Sequence, residues 1–281
     1  MTKDGARCAL ITGASQGLGR AFAEECAGRG MDLVLAALPD TGLKEVARIL
    51  EKAHQVRIET IEMDLTLPDA SRIIAAQCRA HGFEIDTLIN NAGVGFTSRF
   101  CQSSSAQNEA TILLNIAALV RLTQELLPVL MQRHRAWILN VASVGGFFPM
   151  PSMPVYSCTK TFVFSFSRLL RAELRGTGIS VSVLCPNGIR TNRHTRAMIE
   201  KQGWAGRATC RFPDEVARTG IRGLFRGTGV IVPGLVNRFL IAASPFVPQG
   251  LYMRVISRRW ATEREALPAS KRRAAPVSSL A

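Results

Sequence analysis

Short apolar runs alternate with amphipathic stretches along most of the chain. The runs at 7–12, 31–37, 56–62, 85–90, 136–142, 179–185 and 229–233 have the length of strands. Between them, 17–29, 42–54, 68–81, 105–133, 155–176 and 213–226 repeat apolar positions with a helical period. Strand, helix and strand in this order predict a doubly wound α/β fold, a parallel sheet with helices on both faces. DLVLAAL and VSVLCP are apolar throughout, as strands covered on both sides are. A ligand of such a sheet sits beyond the C-terminal ends of the strands. Gly17, Asn90, Ser143 and Pro186 all fall at such ends.

The first strand runs into TGASQGLG, Thr12 to Gly19, which opens a helix. Gly13, Gly17 and Gly19 permit a tight turn and a close approach of backbone to a pyrophosphate. The helix N-terminus offers free N–H groups and partial positive charge to phosphates. Farther along, Tyr156 and Lys160 lie four apart and share a helix face, with Ser143 at the end of the buried run WILNVAS. A phenol has a pKa of roughly 10. A neighbouring ammonium would pull it down, and a hydroxyl beside the pair can hold a carbonyl oxygen.

Together these motifs resemble the short-chain dehydrogenase/reductase family in its shorter, single-domain form, from about Arg7 to about Gly234. The resemblance implies a Rossmann-type sheet and a nicotinamide cofactor held by Gly13, Ser15, Gln16, Gly17, Leu18 and Gly19. It adds Asn90, Asn91, Ala92 and Gly93, which look like the family's NNAG motif, and Pro186, Gly188 and Thr191 of PNGIRT. Asn187 stands where the family usually has Gly. Asp64 resembles a residue that contacts adenine, or it caps a turn. The implied catalytic set is Asn115, Ser143, Tyr156 and Lys160. Tyr156 would be the general acid, Ser143 would hold the oxyanion, and Lys160 would tune Tyr156 and hold the ribose. Asn115 would hold a water that links Lys160 to solvent. The reaction implied is hydride transfer between NAD(P)(H) and a ketone or secondary alcohol.

Cofactor choice turns on the end of the second strand. By alignment, Ala37 takes the position of the NAD-type acid and Leu38 that of the NADP-type base. An Ala leaves room for a 2′-phosphate, which Ser15 or Lys44 can reach, so NADP(H) is favoured over NAD(H). Residues 187–211 are long, basic and interrupted by Gly203 and Gly206, where the family carries a substrate lid. Met198 and Trp204 there either cover an apolar substrate or pack the lid onto the body.

A chain of 281 residues suits one such domain, expected over 1–262. The net charge of +14 is uneven. From Pro186 onward there are 17 Lys and Arg against 5 Asp and Glu. LVNRFLIAASPFVPQGLYMRVISRRW, within an expected helical extension at 235–262, alternates apolar residues with Arg238, Arg254, Arg258 and Arg259. It can lie on an anionic membrane surface, make a dimer contact or close the substrate pocket. Residues 263–281 carry few large apolar residues and are expected to be a disordered basic tail.

Seven Cys without a CxxC pair are expected to be reduced, with Cys8, Cys78, Cys158 and Cys185 buried. His54, His81, His134 and His194 lack metal spacing, so no metal is expected. The N-terminus enters the first strand directly and no uninterrupted apolar run has the length of a membrane span, so a cytoplasmic, at most membrane-peripheral, location is expected. Expected partners are a small carbonyl or alcohol substrate and, from the resemblance, further copies of the chain, with no specific nucleic acid. The alternatives are a non-catalytic dinucleotide-binding protein and a scaffold built on the basic C-terminus. A serine hydrolase is disfavoured, because Ser143 sits in ASVGG and no His is placed to serve it.

Overall fold

A computed structural model describes residues 7–98, 100–148, 150, 153–189, 209–243 and 250. Its strands are β1 (Cys8–Thr12), β2 (Asp32–Ala37), β3 (Ile58–Glu62), β4 (Thr87–Asn90), β5 (Ala136–Val141), β6 (Ile179–Leu184) and β7 (Val230–Ile231). They form one sheet in the order β3-β2-β1-β4-β5-β6-β7, and every neighbouring pair is parallel. The strand order reverses between β1 and β4, which opens a crevice at their C-terminal ends.

The helices are α1 (Gly17–Ala27), α2 (Leu43–His54), α3 (Ala70–Ala80), α4 (Ser105–Ile112), α5 (Leu119–Met131), α6 (Pro154–Glu173), α7 (Pro213–Phe225) and α8 (Leu235–Ala243). Period-two side-chain alternation divides the sheet residues between two cores. Ala9, Ile11, Leu33, Leu35 and Leu139 meet α1, α2 and α7 through residues such as Phe22, Leu43 and Ile221. Cys8, Leu10, Val34, Leu88 and Ile138 meet α3, α5 and α6 through Ile74, Leu122 and Leu170. The continuous apolar strands therefore follow from burial on both sides. Gly220 lets α7 approach α1, since a Cβ there would stand 3.2 Å from the Phe22 ring.

The single helix expected over 105–133 is interrupted. A π-helical segment, Leu113–Ala118, joins α4 to α5 and carries Asn115. Such wide turns recur at functional sites. Ser105–Met131 also reaches a mean hydropathy of 1.5 over 18 residues, so by length and composition it could cross a membrane, contrary to expectation. In this fold it lays Leu122, Leu126 and Leu130 against the sheet.

Two further expectations are corrected. Cys158 is exposed rather than buried, because its position on α6 faces outward, while Cys8, Cys78 and Cys185 are buried free thiols. The last strand is shorter than 229–233 and keeps two residues. Of the expected helical extension α8 is described; apart from residue 250, the remainder to 262 and the tail 263–281 lie outside the described residues, as do Thr191, Met198 and Trp204.

Candidate active site

Gly13 and Gly17 turn the chain from β1 into α1 with φ of +67° and +57°, values that glycine adopts without strain. A Cβ on Gly19 would collide with the Gly13 carbonyl and stand 2.7 Å from Asn91 Nδ2. Gln16 precedes α1 without a side-chain cap, and the first turn carries no acidic residue. The first N–H groups of the helix therefore face the loop without a capping side chain. A bare, glycine-lined helix start of this kind fits a pyrophosphate. Ser15 and Leu18 are buried within the turn.

Thr12 ties this turn to the end of β4. Its Oγ1 accepts from the backbone N–H groups of Asn91 and Ala92, each at 3.0 Å. It donates to the Ile89 carbonyl at 3.4 Å. Asn91 Nδ2 donates back to the Thr12 carbonyl at 2.9 Å. The two motifs, far apart in sequence, are thus one interlocked corner. Asn90 has another role. Its amide donates inward to Thr123 at 3.0 Å and Asn140 at 2.9 Å, and Asn140 continues to Ser167. The Asn90 side chain cross-links β4, β5, α5 and α6 instead of reaching toward a ligand.

Ser143 follows β5 and caps the short turn Val144–Gly146, accepting from Gly145 N at 3.0 Å. Pro154 at the start of α6 suits a first-turn position, and Tyr156 follows in that turn. The turn and the helix are braced together. Thr161 donates to the Gly146 carbonyl at 2.9 Å, and a Cβ on Gly146 would stand 3.0 Å from the Lys160 backbone. The Tyr156 ring lies against Gly95, where a Cβ would come within 2.5 Å of it.

Lys160 is buried and donates from Nζ to the Val141 carbonyl at 2.9 Å. A Cβ on Gly93 would stand 3.2 Å from that Nζ and 3.1 Å from Asn115 Oδ1. The NNAG motif therefore touches both Lys160 and the π-helical segment. The Asn115 amide is committed to protein. It accepts from Val94 N at 2.8 Å and donates to the Val94 carbonyl at 2.9 Å and to Thr159 at 3.0 Å. These contacts fix the chain after Gly93.

The electrostatics differ from the sequence expectation. Burial pushes the Tyr156 phenol up, and the hydrogen bond with Ser143 pulls it partly back. Lys160 does not offset that burial, for its Nζ is turned to Val141 and lies 5.7 Å from the ring centroid. Burial lowers Lys160 itself to about 8, with the nearby Cys185 thiol acting slightly against this. Desolvation, rather than the ammonium, is thus the leading influence on the phenol.

Asp64 Oδ1 accepts from the backbone N–H and hydroxyl of Thr66 at 2.9 and 2.8 Å, an arrangement that closes a turn. Ala37 is buried at the end of β2, and Lys44 pairs with Glu62 at 3.0 Å. The Pro186 carbonyl accepts from Val144 N at 2.9 Å, and Gly188 follows it at the same strand end. Among the described residues no His, Cys, Asp or Glu cluster suits a metal. Thr12, Gly95, Asn140 and Thr159 have no site role assigned from the sequence. Asn140 had a visible signal, an amide inside an otherwise apolar strand, which demands a buried partner.

The model of the short chain dehydrogenase family matches residues 7–202. A very-long-chain 3-oxoacyl-CoA reductase of Mus musculus is 30% identical over 88% of this chain and 78% of its own. The chain spans 59% of the length of its Macaca fascicularis counterpart, at 35% identity over 65% of this chain. Among solved structures, a short-chain dehydrogenase from Sphingobium yanoikuyae in complex with NADPH is 31% identical with a TM-score of 0.74, covering 97% of this chain and 99% of that one. A Burkholderia phymatum relative in complex with NAD is 26% identical with a TM-score of 0.75, over 86% of this chain and 94% of that one.

Proposed function

This chain belongs to the short-chain dehydrogenase family, and we propose that it is an NAD(P)-dependent oxidoreductase that reduces an apolar, lipid-like ketone with Tyr156 as general acid. The observation that carries this reading is the meeting of Ser143, Tyr156 and Lys160 at the strand ends beside Gly93. The nicotinamide would supply the hydride. The Gly13–Gly19 turn and the start of α1 would hold its pyrophosphate. Tyr156 gives its proton to the carbonyl oxygen, and burial keeps that proton on the phenol until it is needed. Ser143 donates to the same oxygen as negative charge develops. Lys160, lowered to about 8, can take or release a proton near neutral pH in the same buried corner.

Two observations support a lipid-like substrate: the similarity to reductases named for very-long-chain 3-oxoacyl-CoA, and a 28% identical Comamonas testosteroni alcohol dehydrogenase described as specific for bulky-bulky ketones. NADP(H) is favoured, because the buried Ala37 puts no carboxylate where a 2′-phosphate would lie. The test is titration with NADPH and NADH, then turnover on 3-oxoacyl thioesters, bulky ketones and small polar ketones. NADPH-dependent turnover ranked by apolar length is expected. Turnover confined to sugars, or none with either cofactor, would end this reading.

α8 exposes Leu235 and Phe239 by 78% and 74% in the most basic part of the chain. That supports a peripheral contact with an anionic membrane. It would appear as salt-sensitive co-sedimentation with phosphatidylserine vesicles that Phe239→Glu removes. Phe162 and Leu169, seven apart on α6 and 39% and 71% exposed, present an apolar face that supports assembly into a homo-oligomer, to be read by light scattering of the wild type against Leu169→Glu.

A further inference from the structure

Asn187, half-buried, and Asn237, buried, form an amide pair next to Pro186 that none of the proposed catalytic roles uses. Asn187 Nδ2 donates to Asn237 Oδ1 at 3.2 Å, and Asn187 Oδ1 accepts from Gly188 N at 2.9 Å. Asn237 is 1% exposed. Its Nδ2 donates to the Thr209 and Pro233 carbonyls, each at 2.9 Å. Both donors and the acceptor of that amide are therefore used. An amide in the apolar stretch LVNRFLIAA costs free energy to bury, and these three partners offset the cost.

The pair fixes the segment that follows β6. On one side, Val144 N donates to the Pro186 carbonyl at 2.9 Å. On the other, the next residue, Asn187, is pinned to α8. Between these two anchors the Pro186 carbonyl stands 3.5 Å from Ser143 Oγ, at the far edge of a hydroxyl hydrogen bond. Gly145 N already fills one lone pair of that oxygen. Ser143 has a single proton, and the Pro186 carbonyl and Tyr156 compete for it. A carbonyl about 0.7 Å nearer would reach the usual O–H···O distance and take it.

We propose that Asn187 and Asn237 are positioning residues that hold the Pro186 carbonyl back from Ser143. The Ser143 proton is thereby left for Tyr156 and the substrate oxygen. The role rests on the proposed reaction, since it concerns the hydroxyl that receives the oxyanion. It acts on the chemical step, so its mark is a change in kcat and pH profile larger than any change in cofactor affinity through the neighbouring Pro186 and Gly188. It also changes the pH profile. When Ser143 turns to Pro186, Tyr156 loses the hydrogen bond that draws its proton affinity down. The pH at which alcohol oxidation reaches half its maximum then rises.

The test compares the full-length wild type with Asn187→Ala, Asn237→Ala and the double variant. NADPH affinity, kcat in both directions and the pH profile of oxidation are measured for each. Each single change is expected to lower kcat about tenfold, which is about 1.4 kcal/mol. The oxidation profile moves to higher pH, any change in NADPH affinity is smaller than the change in kcat, and the double variant is no worse than either single one, as for a coupled pair. Asn237→Ala can fail to fold, because it strips three hydrogen bonds from a buried amide. Asn187→Ala, on a partly exposed loop residue, then carries the test alone. If wild type turns over while Asn187→Ala keeps its kcat and pH profile, the positioning role is wrong and the reaction stands. Losses that multiply in the double variant also overturn it. A wild type without turnover on any carbonyl overturns the reaction itself, and the role with it.

Discussion

The two halves of the candidate site are held by different physics. The corner at Thr12, Gly13 and Asn91 is closed by backbone groups, one hydroxyl and one amide. None of its members titrates in the working range, and its shape depends on missing side chains. The corner at Ser143, Tyr156 and Lys160 is closed by ionisable groups taken out of water. A pyrophosphate site needs fixed dipoles and close approach, so a neutral interlock suffices. A proton-transfer site needs groups whose charge can change, so it must bear desolvation. Substitutions in the first corner should therefore act on affinity at every pH, and those in the second on rate and on pH dependence.

The largest effect is expected at the phenol. Tyr156→Phe removes the proton donor and leaves the Gly13–Gly19 turn untouched. Turnover should fall about 10²- to 10⁴-fold, the usual range for a general acid, with NADPH still bound. Stopped-flow reduction alongside fluorescence titration checks both. Retained turnover would dissolve the distinction between the corners.

Lys160 sharpens it through stability. Its folded value of about 8 lies below the unfolded value of 10.5. Below pH 8 both states carry the proton, and the fold bears the full cost of a buried ammonium. Between about 8 and 10.5 the unfolded state binds more protons, so this contribution raises stability with pH. The span corresponds to roughly 3 kcal/mol. Tyr156, Cys26 and Cys185 act oppositely in alkali, since burial raises all three, the two thiols to about 12. The readable quantity is thus the difference between Lys160→Met and wild type in urea melts. Met should be the more stable at pH 7, and its advantage should shrink toward pH 10.5. A difference that stays flat across that window would mean Lys160 is not desolvated.

The same contrast explains what was legible in the sequence. Glycine spacing betrays the first corner, because a collision such as that between a Cβ on Gly19 and the Gly13 carbonyl leaves no other residue type. Strand positions were legible because burial on both faces leaves runs such as DLVLAA with almost nothing polar. The spacing of Ser143, Tyr156 and Lys160 pointed to the second corner, but its electrostatics could not be read. Which influence dominates the phenol depends on where Lys160 Nζ points, and the Val141 carbonyl decides that. The inward turn of Asn90 was equally hidden, for it depends on Thr123 and Asn140 in other elements. The π-helical turn at Leu113–Ala118 leaves no mark in a helical period.

Gly19→Ala tests the first corner directly. Its methyl group would meet the Gly13 carbonyl and Asn91 Nδ2, so α1 must move away from the turn. Overpacking of this kind costs about 1–3 kcal/mol. Thermal denaturation should show that loss, and NADPH affinity should weaken by a similar factor at pH 6 and at pH 9. A pH-dependent loss would place ionisable groups in a corner where the structure shows none.

Thr12→Val is the finest probe, since it keeps the side chain's shape and removes only the hydroxyl. Thr12 is 3% exposed, so the N–H groups of Asn91 and Ala92 lose their shared acceptor in a place water reaches poorly. Asn91 N keeps the Ile89 carbonyl at 3.1 Å, so the loss falls on the Ala92 N–H, and leaving such a donor unpaired costs about 1–3 kcal/mol. Part of that should be relieved by a shift of the Asn91–Gly93 segment. Gly93 lies against Lys160 Nζ and Asn115 Oδ1, so such a shift would reach the second corner through a single glycine. Thr12→Ser, which keeps the oxygen, should restore both affinity and stability. If the corners are independent, Thr12→Val weakens NADPH binding and leaves the pH profile of kcat unchanged. If the profile moves as well, Gly93 transmits strain between them, and the neutral corner takes part in setting the proton affinity of Lys160.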